Sequence, residues 1–292
     1  MIDILLPFYG DPDLMRATVR SVQAQTREDF RLVVVDDGYP DPSVAEWFSE
    51  LDDARVEYHR NEVNLGANRN YTRALELATS EHVVVMGADD LLLPNFLEVV
   101  ESAIERFPDA AIVQCGVEVI DEHDRVVHPL GDRVKTALAP RPTEVTSLSG
   151  ESAMVSILRG NWTYFPSLCW RRDLITSIGF RPDFHVVQDM ALVMDVLMGG
   201  GRLVVTPEVA FRYRRHAGSD SAVKTVSGSR FHEEQEYYRT IAVELRAEGR
   251  TRAARAARVH VTSRLHAASL VPVAARSRDF AAVTRLIGHA TR

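Results

Sequence analysis

The chain has 292 residues, 46% of them apolar and 26% charged, and a formal net charge of −7. That is the balance of a folded globular protein; it excludes a disordered or collagen-like chain, and an acidic body argues against nucleic acid as a partner. No run approaches the ~20 apolar residues of a membrane span, and Met1 to Leu6 reaches Pro7 and Asp11 too soon for a signal peptide, so the expected location is cytoplasmic.

Residues 1–107 alternate strand and helix signals. Ile2 to Leu6 is a strand, Leu14, Val19 and Val22 mark a helix ending near Thr26, and Arg31 to Val35 is a strand running into Asp36, Asp37 and Gly38. Trp47, Phe48 and Leu51 belong to a short helix, Val56 to His59 to a third strand, and Tyr71, Ala74, Leu75 and Ala78 to another helical stripe. Val83 to Met86 is too short for a helix and reads as a buried strand; it leads to Asp89 and Asp90. Leu91 to Pro94 then start a helix through Phe96, Leu97, Val99, Val100 and Ile104. Four βα units in succession need crossover helices and predict a mostly parallel, Rossmann-like three-layer α/β sheet. No G-x-G-x-x-G follows the first strand, which speaks against a dehydrogenase-type dinucleotide fold.

Farther on, Ala110 to Ile120, a turn at 121–124 and Val126-Val127 read as a hairpin, and Gly131 to Ser149 as a long surface loop. A helix is expected near Glu151 to Leu158, a strand at Ser167 to Arg171, a helix over Gln188 to Met198, and strands at Leu203 to Val205 and Phe211 to Arg214. From Arg230 onward the pattern is helical. Its Tyr237, Ile241, Leu245 stripe suits a homodimer interface as well as a core. Residues 249–292 hold nine arginines and one acid, Asp279, a local net of +8 that leaves −15 for residues 1–248. Such a tail suits peripheral contact with anionic lipid or another acidic surface, or a solvated helix on an acidic body. Cys115 and Cys169 lie far apart in apolar stretches and read as core residues of a reducing compartment, with one disulfide as the alternative.

In open α/β sheets, ligands bind at the carboxyl ends of the strands. Asp36-Asp37 and Asp89-Asp90 share that edge. Each pair alone is explained as a turn former or helix cap. Together they suit a ligand with hydroxyl and amide donors and a bound cation, since adjacent carboxylates raise each other's pKa until a cation or partner neutralises them. Asn64, Arg69 and Asn70, at the start of the next helix, suit a diphosphate.

Taken together, the motifs resemble the inverting, GT-A fold glycosyltransferases of family 2. Leu6-Pro7-Phe8-Tyr9 resembles the family's Pro-x-Tyr/Asn opening, and Val35-Asp36-Asp37-Gly38 its Asp-Asp-Gly-Ser, with Tyr39 in place of Ser. Asn64-Leu65-Gly66 through Arg69-Asn70 resembles Asn-x-Gly…Ala-Arg-Asn, and Gly87-Ala88-Asp89-Asp90 with Pro94 resembles Asp-x-Asp-Asp-x-x-x-Pro. Gln188-Asp189-x-x-Leu192 resembles the Glu-Asp-x-x-Leu that carries the general base, and Tyr213-Arg214-x-His216 with Ser219 and Ser221 resembles the loop after it. The likeness covers roughly residues 1–221. Gly87 replaces the first Asp of the metal motif, and Gln188 the acid beside the base.

The resemblance implies a nucleotide-diphospho-sugar donor and a divalent metal, Mn²⁺ or Mg²⁺, held by Asp89 and His216. Asp189 would be the base. Pro7, Tyr9, Asp36 and Asp37 would hold the nucleoside, with Asn64, Arg69, Ala88 and Asp89 along the rest of the donor. Trp162, Tyr164 and Trp170 read either as an aromatic platform for a saccharide, lipid-linked or small-molecule acceptor or, the commoner fate, as core packing. Residues 1–107 form the nucleotide-sugar half, 108–228 the acceptor and catalytic half, and 229–292 a helical basic extension. A non-catalytic nucleotide-sugar-binding or assembly protein of the same fold is the alternative that Gly87 leaves open.

Overall fold

In the computed structural model, which describes residues 1–216, 229–276 and 278–291, the apolar runs of the first hundred residues pair as parallel strands. These are β1 (Ile2–Phe8), β2 (Phe30–Asp36), β3 (Val56–Arg60) and β4 (His82–Val85). Their side chains alternate between two apolar clusters. Ile4, Leu6, Phe8, Leu32, Val34 and Val84 face one, and Leu5, Val33, Val35, Val83 and Val85 the other. A sheet buried on both faces yields continuous apolar runs rather than alternation, which is why these strands are readable. Helices α1 (Pro12–Gln23) and α4 (Phe96–Arg106) cover the first face with Met15, Val19, Val22, Phe96 and Val100; α3 (Ala67–Glu76) covers the second with Ala74 and Leu75. A short α2 (Ser43–Ser49) lies between β2 and β3 in the chain.

The sheet continues through β5 (Leu91–Leu92), β6 (Ala110–Ile120), β7 (Thr146–Leu148), β8 (Leu168–Arg171) and β9 (Arg202–Arg214). Its order is β3-β2-β1-β4-β8-β6-β9-β5, with β7 on β9. β8 runs antiparallel to β4 and β6, and β9 parallel to β6. The carboxyl ends of β1, β2, β4, β6 and β9 therefore share one edge.

Several expectations need correction. Leu91 and Leu92 pair with Phe211 and Arg212 as a short strand instead of opening α4. The proposed surface loop holds α5 (Leu130–Leu138) and β7; Leu130, Val134 and Leu138 are spaced for a helix. The two strands around Pro207 are one strand, because register shifts against β6 let it continue past the proline. The hairpin after β6 closes with a single Ile120–Val126 bridge. Cys115 and Cys169 are both free and buried, in place of the alternative disulfide, and burial pushes the Cys115 thiol up to about 12.

On the second face lie α6 (Gly150–Gly160) and α8 (Gln188–Met198), with α7 (Arg172–Ile178) beside α8. The basic segment forms α9 (Ser229–Ala247), α10 (Thr251–Val259), α11 (Val261–Arg276) and α12 (Phe280–Thr291). Tyr237, Ile241 and Leu245 are fully buried within this chain beside Leu192 and Val196, so that stripe belongs to the core and not to a dimer interface. No described helix is long and apolar enough to cross a membrane. Ser219 and Ser221 lie outside the described residues.

Asp3, inside β1, is fully buried. It pairs with Arg31 (2.8 Å) and accepts hydrogen bonds from the Thr79 and Ser80 amides and the Ser80 hydroxyl (2.6, 3.0 and 2.6 Å). Burial raises its pKa, but Arg31 and the Ser80 and Thr79 donors outweigh that and hold it below the ordinary carboxylate value. A depressed folded-state pKa contributes stability present above the unfolded value near ~4 and lost as pH falls through the folded value. Asp3→Ala should cost about 3–5 kcal/mol in urea unfolding at pH 7. The difference from wild type should shrink below about pH 4.

Candidate active site

The chain leaves β2 into Asp36 and Asp37, both buried. Asp36 accepts from the Tyr39 amide (2.7 Å) and the Tyr58 hydroxyl (2.5 Å), and burial followed by that carboxylate raises the Tyr58 pKa. Asp37 accepts from the Leu65 and Gly66 amides (2.8 Å each) and from Asn61 Nδ2 (2.9 Å). Asn61 also donates to Asn70, whose amide donates to the Val35 carbonyl (both 2.9 Å). Asp37 thus anchors the turn that opens α3, where Gly66 adopts φ +83°, a left-handed conformation that suits glycine. Both carboxylates are thus engaged in holding the turns around the strand ends.

The exposed surface beside them is aromatic. Tyr9, at the end of β1 after Pro7, is 56% exposed and packs edge-on against Tyr39 (5.6 Å), which leans on Phe8 (5.2 Å). Tyr39 was visible only as a departure from the family pattern. Asn64 is exposed, its side chain accepting from the Gly66 amide (3.0 Å); Arg69 is exposed in the first turn of α3.

After β4, Ala88 and Asp89 are half-buried and Asp90 is buried. Asp89 Oδ2 lies 2.9 Å from His216 Nε2, joining residues 127 apart in sequence. Arg214, 2% exposed, fixes this meeting. Its amide donates to Asp90 Oδ1 (2.8 Å), its Nε to the Asp89 carbonyl (2.6 Å) and its Nη1 to the Asp121 carbonyl (3.0 Å), and it pairs with Asp124 (2.6 Å). Burial, and then the Asp89 charge, push Asp90 well above the usual carboxylate range. Arg215 pairs with Asp132 of α5 (2.9 Å), which also accepts from the Tyr164 hydroxyl (3.0 Å).

A Cβ on Gly87 would lie 2.6 Å from Asp90 Oδ2 and 2.9 Å from Asp89 Oδ1, so the carboxylates fill the space a motif aspartate would need. Among the described residues, no three His, Cys, Asp or Glu side chains converge on a point. Asp89 offers one carboxylate and His216 one imidazole nitrogen, fewer ligands than a cation held by protein alone requires.

Asp189 occupies the first turn of α8, half-buried, and accepts from the Met190 amide (2.7 Å); the N-cap position belongs to Val187, not to Asp189. Asn68 Nδ2 donates to His185 Nδ1 (2.7 Å), tying the segment before α8 to the start of α3. Of the two readings of the aromatics, core packing is the one their burial matches. Trp162 and Trp170 are at most 1% exposed in the core, with Trp162 donating to Ser156, and Tyr164 is buried with its hydroxyl committed to Asp132.

The fold is that of a GT-A glycosyltransferase. It superposes on Staphylococcus aureus TarS 1–349 with a TM-score of 0.61 at 17% identity, covering 84% of this chain and 65% of TarS, and on the complex of TarS 1–349 with UDP-GlcNAc at 0.60 and 14%, covering 97% and 89%. The profile of the family described as "Glycosyl transferase family 2" matches residues 3–165, more than half of the chain, and the chain belongs to this family of transferase enzymes. It is 25% identical over 130 residues to an uncharacterized glycosyltransferase of Methanocaldococcus jannaschii, a match spanning 44% of this chain and 45% of that protein. It is 36% identical over 98 residues to the glucosyl-dolichyl phosphate glucuronosyltransferase of Haloferax volcanii, spanning 33% and 31%. The matched regions are therefore less than half of these two relatives.

The crowding at Gly87 makes that position testable. Gly87→Ala should lower stability by about 1–3 kcal/mol through overpacking against Asp89 and Asp90. An unchanged thermal midpoint would contradict the geometry.

Proposed function

We propose that this chain is an inverting glycosyltransferase that moves a sugar from a nucleoside-diphosphate sugar to an acceptor hydroxyl, with Asp189 as general base. The observation that carries the reading is the Asp89–His216 contact at the sheet edge where β1 and β2 also end. Residues 1–107 serve the donor, 108–228 the acceptor side, and 229–292 extend the domain. Tyr9 and Tyr39 offer the nucleobase a stacking surface beside Pro7, while Asp36 and Asp37 shape that pocket from behind. Asn64, Arg69 and Ala88 line the diphosphate and sugar path. Asp89 and His216 would hold Mn²⁺ or Mg²⁺, which when bound offsets the charge that builds on the leaving diphosphate. Asp189 takes the proton of the attacking hydroxyl, and a single in-line displacement inverts the anomeric centre. A UDP-sugar donor has its supporting parallel in TarS, which was solved in complex with UDP and with UDP-GlcNAc. Buried free thiols suit a cytoplasmic setting.

Asp189→Asn should lower UDP release from UDP-sugars by about 10²–10⁴-fold with UDP affinity retained. Unchanged turnover would remove Asp189 from the mechanism and favour the non-catalytic binding reading.

A second observation bears on the acceptor. Arg252, Arg255 and Arg258 project from α10 into solvent, between clefts of about 280 and 410 Å³ that Arg239, Arg264 and Arg159 also line. Val259, Val261 and Leu265 are exposed beside them. Arginines next to exposed aliphatic side chains suit an anionic lipid surface, and so a lipid-linked acceptor. The chain should sediment with phosphatidylglycerol vesicles at low salt, and Arg252→Glu/Arg255→Glu/Arg258→Glu should abolish this. Absence of binding in the unaltered chain would contradict it.

A further inference from the structure

We propose that Glu233, from the first helix of the C-terminal extension, is the positioning residue for Asp189; this rests on Asp189 being the base. Helix α8 has Val187 at its N-cap position, whose side chain cannot cap it. The amides of His185, Val186 and Val187 instead all donate to one oxygen, Glu233 Oε1, at 2.8, 2.5 and 2.9 Å. A carboxylate accepting several backbone N–H groups at a helix entrance makes strong, directional, charge-assisted bonds. The chain is thereby fixed two residues before Asp189.

The same segment is held from the other side, where Asn68 binds His185 next to Arg69. Farther along, Arg181 bridges Asp195 of α8 (2.8 and 2.5 Å) and Glu244 of α9 (3.1 and 2.9 Å), so the extension grips the base helix at two points. Glu233 is not needed to keep α8 folded. Met190, Ala191, Leu192, Val193, Met194, Val196 and Leu197 are buried and hold the helix body in the core. What Glu233 sets is the direction of the first turn, and hence where the Asp189 carboxylate meets an acceptor hydroxyl. A misplacement of about 1 Å can cost about 10²-fold in rate with little loss of stability. The extension thus completes the catalytic site rather than only covering the sheet.

The test compares wild type, Glu233→Gln and Glu233→Ala for UDP release from UDP-sugars, with thermal midpoints and amide hydrogen exchange on the same samples. Glu233→Ala should lower kcat about 10²-fold, leave the donor KM within about twofold, keep a near wild-type midpoint, and speed exchange at residues 185–187. Glu233→Gln, which keeps a neutral carbonyl acceptor, should recover part of the loss. Full activity in Glu233→Ala, or activity lost only in step with unfolding, would overturn the role of Glu233. A wild-type chain that neither binds UDP nor releases it from any UDP-sugar would instead overturn the transferase reading itself.

Discussion

Arg214 carries a full charge into a nearly dry interior, and the site is built around that guanidinium. Isolated, it would be strongly destabilising; here it meets two backbone carbonyls and Asp124, while its own amide holds Asp90. These contacts tie the end of β9 to the turn after β4, and His216, two residues on, arrives at Asp89 as a consequence. Asp90 is therefore a structural acceptor held beside Asp89. Gly87 belongs to the same arrangement, because only a residue without Cβ leaves room for the two carboxylates.

A second constraint acts on the donor side. Asp37 converts the turn after β3 into a fixed entrance to α3, and through Asn68 that entrance touches the segment leading to Asp189. The entrance of α3, the start of α8 and the first helix of the C-terminal extension thus meet at residues 185–187. Asp189 sits on a helix, while Tyr9, Asp89 and His216 lie just past the ends of β1, β4 and β9.

The parallel half of the fold was legible because strands buried on both faces leave unbroken apolar runs, and Asp36, Asp89, Asp189 and His216 sit at motif spacings that survive without structural knowledge. Other parts carried no local signal or a misleading one. β5 is two residues long and exists only through its pairing with β9. In α5, Leu130 and Val134 are exposed and Asp132 is the buried residue, so apolar spacing pointed away from what packs. Trp162 and Trp170 show that aromatic content near a site does not distinguish a platform from a core. Glu233 was invisible for a different reason: its partners are backbone amides 46–48 residues away, and amides have no sequence identity to read.

In the proposed transferase, the strand ends of this sheet form a donor site completed by a metal at Asp89 and His216. Isothermal titration with UDP, dTDP and GDP, each with and without Mn²⁺, tests it most directly. One diphosphate binding only with Mn²⁺, and losing that dependence in Asp89→Asn and His216→Ala, is the expected result. Binding of none of them under either condition would contradict the claim and return the acidic pairs to the role of turn residues.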